Sequence, residues 1–268
     1  MITKRKYAEE IATKIGGEVR EVEKNNRVVF TGIQRREEGT NISPVVYIDE
    51  FYDKITPIDE AAAKVDEILK ANAQLSIDVN FILNFENVEP KLKAKLVNAK
   101  TSAEVFRSAA NAGFDDLIII PYIDAVADFG EGKGTVTVTN GMLERWNKTA
   151  DEVINIALKN SASEVSIKSM RKILIEMETP EIFLPPNDNQ MIVISNTNKI
   201  YGAISVLFAT ERLREMFPNG YMILPSSIHE VIAIPLNDSD MDGMVQDVNA
   251  GEVAPEEQLG NKAYKFAA

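Results

Sequence analysis

Two hydroxyls, an imidazole and a carboxylate fall within five residues at Ser226-Ser227-Ile228-His229-Glu230. A nucleophilic serine needs a base within hydrogen-bond reach and a third group that orients that base. On a tight turn Ser226 or Ser227 could approach His229, with Glu230 as the orienting carboxylate. The chemistry served would be hydrolysis. His229 is the one histidine of the chain, so no other residue could replace it as the base of such a pair. Two considerations oppose the assignment. No Gly-x-Ser-x-Gly elbow presents either serine, and triads are normally assembled from distant segments. Ser227 and Glu230 also stand at capping-box spacing, where each satisfies a free backbone N–H of a helical turn. That structural role outweighs catalysis on sequence grounds.

A second constellation is Asp238-Ser-Asp240-Met-Asp242-Gly243. Oxygen ligands at alternate positions followed by glycine match the opening of a calcium loop. The twelfth position should be a bidentate glutamate and is Asn249, and the preceding segment reads as a strand rather than an entering helix. A weak Ca²⁺ site therefore competes with a simpler role, in which Asp240 caps a helix beginning at Met241. The run Gly130-Glu-Gly132-Lys133-Gly134-Thr135 superficially suggests a phosphate loop. Its lysine is followed by glycine, and a strand follows where a helix N-terminus is needed, so a hairpin turn is the better reading.

The composition sharpens these limits. The chain has 268 residues, no cysteine, 41 acidic and 29 basic side chains, and a formal charge of −12. Disulfides, cysteine-ligated metals and thiol nucleophiles are excluded, as is a two-histidine zinc motif. The charge is graded: residues 1–110 sum to −1, residues 111–179 to −4 and residues 180–268 to −7. Nucleic-acid binding rests on neutralising phosphates and is not expected of such a surface. Solubility accounts for the charge most simply, and attraction to a basic protein partner is the sharper alternative. No apolar run approaches a membrane span, and the N-terminus lacks the apolar region of a signal peptide. A cytosolic location is expected.

The elements that must position these residues follow from periodicity. Tyr7, Ile11 and Ile15 mark one helix face, stopped at Gly16-Gly17. Glu18–Glu23 and Arg27–Gln34 read as a hairpin, and Pro44–Ile48 as a third strand. Thr56 is expected to cap the next helix with Pro57 at its first position. Asp78–Phe85 alternates as a strand. Pro90–Val97, Ser102–Ala110 and residues 163–178 look helical, and Leu117–Ile123 reads as a buried strand. A helix capped by Thr149 follows one around Trp146. Met191–Ser195 is a strand and Tyr201–Phe217 is helical by spacing. Two strands, Tyr221–Leu224 and Val231–Leu236, flank Pro225–Glu230. The expected class is α+β, with a mixed or mainly antiparallel sheet and flanking helices. Asn111-Ala112-Gly113 suggests a boundary between an N-terminal lobe, 1–110, and an acidic C-terminal lobe, 111–268, unless the two form one continuous domain.

Several stretches resemble an uncharacterised family of bacterial proteins, found mainly in gut Firmicutes and known as a domain of unknown function. The carriers include Phe81-Ile-Leu-Asn-Phe85-Glu86-Asn-Val88, Lys199-Ile-Tyr201-Gly202-Ala203 and, most distinctively, Leu224-Pro225-Ser226-Ser227-Ile228-His229-Glu230-Val231-Ile232. The resemblance implies a cytosolic bacterial protein of this size and brings no activity with it. The expectation is thus a non-catalytic binding protein that meets another protein through its acidic C-terminal half. A serine hydrolase using Ser226 or Ser227 with His229 is the alternative, and a weak calcium-binding protein the second.

Overall fold

The computed structural model describes residues 2–38, 40, 42–73, 78–100, 108–109, 113–128, 133–188 and 190–268. The fold is α+β with mainly antiparallel sheets. The chain divides into two compact units, residues 1–82 with 125–135 and residues 83–124 with 136–268. Among the described residues no helix is long and apolar enough to cross a membrane.

The first unit begins with α1 (Lys4–Ile15). Thr3 caps it by accepting the Lys6 N–H, and Gly16 closes it in the left-handed conformation at φ 68°, where glycine carries no Cβ penalty. Strands β1 (Glu18–Glu23) and β2 (Val29–Gln34) form the expected hairpin, turned by Asn26 and Arg27 at positive φ. β3 (Val45–Tyr47) adds to β2 antiparallel. A short α2 (Asp49–Asp53) leads to α3 (Ile58–Ala71). That helix starts one residue later than expected, with Pro57 rather than Thr56 at its cap. The Thr56 carbonyl instead accepts the Tyr7 hydroxyl at 2.7 Å. Ile11, Ile33, Ile48, Ala61 and Val65 are fully buried and join α1, α3 and the sheet in one core. Asp78–Phe85 is not a strand: α4 (Val79–Leu83) occupies it, started by Asp78 accepting the Asn80 N–H.

The second unit opens with α5 (Phe85–Val88) and β4 (Leu92–Asn98). Residues 90–97 were expected to be helical, because Lys, Ala and Leu favour helices. Here Pro90 and Lys91 belong to a 3₁₀ turn, Leu92–Asn98 pair residue by residue with β6 (Leu117–Asp128), and tertiary pairing overrides propensity. β5 (Ser108–Ala109) pairs with the other side of β6, so this end of the expected 102–110 helix is strand; residues 101–107 and 110 lie outside the described residues. β7 (Lys133–Thr137) also pairs with β6. Helix α6 (Asn140–Trp146) precedes α7 (Ala150–Ala162), whose capping box is complete: Thr149 accepts the Glu152 N–H and Glu152 accepts the Thr149 N–H. Residues 163–178 were expected as one helix and are β8 (Val165–Ser169) followed by α8 (Met170–Glu176). Val165-Ser-Ile-Lys-Ser alternates, and it pairs with β9 (Ile192–Asn196).

Residues 201–217 break into a buried 3₁₀ segment, Gly202–Phe208, and α9 (Thr210–Met216). Hairpin strands β10 (Tyr221–Ser227) and β11 (Glu230–Pro235), helix α10 (Met241–Gly251), a 3₁₀ turn at Pro255–Glu257 and β12 (Tyr264–Phe266) complete the unit. The five-stranded sheet runs β12-β10-β11-β9-β8. One face carries Met222, Leu224 and Ile234 against Val245 of α10. The 3₁₀ segment Gly202–Phe208 packs against β9, β11, β4 and α7.

Candidate functional site

The Ser-Ser-Ile-His-Glu run forms the tip of the β10–β11 hairpin. Ser227 stands opposite Glu230, the register shifts between Leu224 and Ser227, and Ile228 and His229 make the corner. The expected helical capping box is therefore absent, because these residues close a strand turn. Ser227 still binds backbone: its Oγ accepts the His229 N–H at 3.1 Å. The corner is held from both sides. The Ile228 N–H donates to the Glu257 carbonyl at 2.8 Å and the Ala203 N–H donates to the Ile228 carbonyl at 3.3 Å. The Ser195 hydroxyl donates to the His229 carbonyl at 2.8 Å. Gly202 makes this approach possible. A Cβ there would lie 2.5 Å from the His229 carbonyl oxygen.

The imidazole pairs with neither serine. Its Nδ1 accepts the Tyr201 N–H at 3.1 Å, and its Nε2 lies 3.5 Å from Glu257 Oε1. A neutral ring that accepts at Nδ1 carries its proton on Nε2, so the accepting nitrogen is already committed. The ring stacks on Tyr201, with centroids 5.7 Å apart and planes 11° from parallel. Tyr201 has φ 54°, a conformation that side chains other than glycine rarely hold. The bond from its N–H to His229 helps to retain it there. The stack continues inward: Tyr122 meets Tyr201 edge-on at 5.1 Å, and the Lys95 ammonium lies 4.7 Å from the Tyr201 ring centre. Burial, with Asp124 and Glu164 nearby, pushes the Tyr122 phenol well above its ordinary range. In this arrangement His229 acts as a brace.

The neighbouring residues go elsewhere. Ser226 lines a small apolar cavity of about 70 Å³ between α10 and the sheet, with Leu224, Ile232, Met244 and Val248. Glu230 lines a different groove, of about 480 Å³, between α8 and the β8–β9–β11 part of the sheet. The four clustered residues thus face three surroundings, and no serine hydroxyl meets the imidazole. Asp240 caps α10, accepting the Asp242 N–H at 3.2 Å, and Asp242 accepts the Ala263 N–H at 2.7 Å. Asp238 is exposed. Asn249, at the twelfth loop position, is buried and donates to the Gly260 carbonyl at 2.8 Å. Among the described residues no three carboxylates or imidazoles converge as metal ligands would. The Gly130–Gly132 turn lies outside the described residues.

Sequence reasoning missed Tyr201, Lys95, Glu257 and Gly202 as the surroundings of His229. Tyr201-Gly202 was visible as a shared stretch, but its contact with His229 spans 28 residues. A family model described as a family of unknown function, DUF5688, matches residues 3–268. No curated protein and no solved structure matches the chain. A match over nearly the whole chain settles the family, and the protein belongs to the family of unknown function DUF5688.

Proposed function

We propose that this protein is a binding module that receives a basic protein segment on the acidic face around α10, with no chemistry of its own. One observation carries the reading. From residue 215 to residue 261 there are nine Asp and Glu and no Lys or Arg. Asp238, Asp240, Asp242, Asp247 and Glu252 of this stretch are exposed. Beside them on α10, Met244 is 48% and Val248 38% exposed, and both line an apolar slot with Met191 and Ile232. An apolar strip framed by uncompensated carboxylates suits an amphipathic segment with Lys and Arg on its flanks. Methionines let such a surface repack around different side chains. The bacterial, cytosolic setting implied by the family resemblance belongs to the same proposal.

The test is affinity capture from lysate of the source cell with the wild-type chain and a Met244→Asp/Val248→Asp variant. The reading expects a basic protein retained by the wild type, released by raised salt and lost by the variant. Identical sets of captured proteins, or retention indifferent to salt, would overturn it.

A further inference from the structure

We propose that the groove between α8 and the five-stranded sheet is a binding site for a small zwitterion carrying an ammonium and a carboxylate, an α-amino acid or a short peptide. This site lies at the β8 end of the sheet and is independent of the α10 surface. Its volume, about 480 Å³, is in the range of small-molecule sites. Ser166 and Lys168 of β8 stand directly beside Ser195 and Val193 of β9, and these line the floor. Glu230 precedes Val231, which faces Ile194, so the register places Glu230 next to Ser195. Ile173 and Met177 line the groove from the α8 side.

The charges select the ligand. Lys168 is already bound to Glu176, at 2.9 and 3.3 Å. Lys199 and Glu230 also line the groove, and among the described residues neither side chain has an ion-pair or hydrogen-bond partner. One surplus cation and one surplus anion in a single groove fit a ligand that carries both opposite charges. A simple anion would leave Glu230 unanswered, and a simple cation would leave Lys199 so. The Lys199 end is the cationic one. Lys168 holds the Glu176 carboxyl below its ordinary range by hydrogen bonding, and Lys172 and Lys199 add to that field. The ligand carboxylate therefore meets Lys199 and its ammonium meets Glu230, with the Ser166 and Thr197 hydroxyls elsewhere on the groove wall. Val193, Ile173 and Met177 of the same groove offer an apolar surface for a side chain such as leucine or methionine.

Calorimetric titration of the full chain with leucine and with leucyl-leucine tests the assignment, with N-acetyl-leucine and leucine amide as single-charge controls. One of the two zwitterions is expected to bind with Kd between about 10 μM and 1 mM. Binding of leucine points to the amino acid as the natural ligand, and binding of leucyl-leucine alone points to the peptide. Each control should bind at least about tenfold more weakly. Glu230→Gln should erase the preference for a free ammonium, and Lys199→Met the preference for a free carboxylate. The fluorescence of Trp146 verifies that each variant is folded. Absence of binding by both zwitterions at about 10 mM, or controls that bind equally well, would overturn the proposal; so would a folded pair of variants with unchanged preferences.

Discussion

Replacing Gly202 with alanine probes the contact that seats the hairpin tip. The new methyl would lie 2.2 Å from Ser195 Oγ, 2.5 Å from the His229 carbonyl oxygen and 2.6 Å from the Asn196 backbone nitrogen. A Cβ essentially never comes within 3.0 Å of such an atom, so all three must yield. The Ser195 hydroxyl can rotate, but it then gives up its 2.8 Å bond to the His229 carbonyl. The other two atoms are backbone, fixed by the β9 pairing and by the turn. Overpacking of this kind costs about 1–3 kcal/mol, and the lost hydrogen bond adds about 1 kcal/mol. A loss of about 2–4 kcal/mol is expected. At about 2–4 °C per kcal/mol for chains of this size, the midpoint should fall on the order of 4–16 °C. Urea unfolding followed through Trp146 measures it directly. This residue is the single tryptophan, belongs to the same unit, and packs on Phe85 at 5.5 Å. Adding Ser195→Ala removes the closest clash, so the double variant should be less destabilised than the sum of the two singles by about 1 kcal/mol. A Gly202→Ala loss under about 0.5 kcal/mol with an unchanged denaturant slope would refute the argument.

Two further outcomes follow from the titrating groups. Glu152 sits below its ordinary carboxylate value chiefly because it accepts the Thr149 backbone N–H, with the Thr149 hydroxyl adding to this. A depressed folded value means that its stabilisation is present above the unfolded pKa and disappears as pH falls through the folded one. The acid melting of α7 should therefore be flatter in Glu152→Gln, and Thr149→Ala should cost about 1 kcal/mol near neutrality; circular dichroism against pH checks both, and an unchanged acid limb would contradict the capping box. Burial raises the phenols of Tyr122 and Tyr264, and for Tyr264 a hydrogen bond to Asp116 at 2.7 Å adds to it. Raised folded values stabilise fully below the unfolded pKa near 10 and are lost as pH climbs further. Tyrosinate absorbance should show these two of the seven tyrosines ionising only as the protein unfolds; their titration with the rest in a folded chain would contradict it.

Local signals made part of the fold legible. The Gly16 stop of α1, the Thr149 cap of α7 and the polar turn of the β1–β2 hairpin each act over a few residues. Elements whose state depends on distant partners were misread. Leu92–Asn98 has a helical composition and becomes a strand because seven of its residues find partners on β6. Val165–Ser169 is strand because β9 lies beside it, and the helix expected to include it begins only at Met170.

The site divides in the same way. Composition alone determined that this chain has one imidazole, no thiol and a stretch of 47 residues without a Lys or Arg. Those facts exclude whole chemistries and need no fold. Proximity in sequence suggested that Ser226, Ser227, His229 and Glu230 work together, and tertiary structure decided otherwise. A strand sends successive side chains to opposite faces, and the register shift before Ser227 disperses them further. The partners of His229 come from Tyr201 and Glu257. Lys199 and Glu230, 31 positions apart, share a groove because β9 and β11 are neighbours. Which side chains meet is set by the pairing of strands far apart in the chain, which no local pattern encodes.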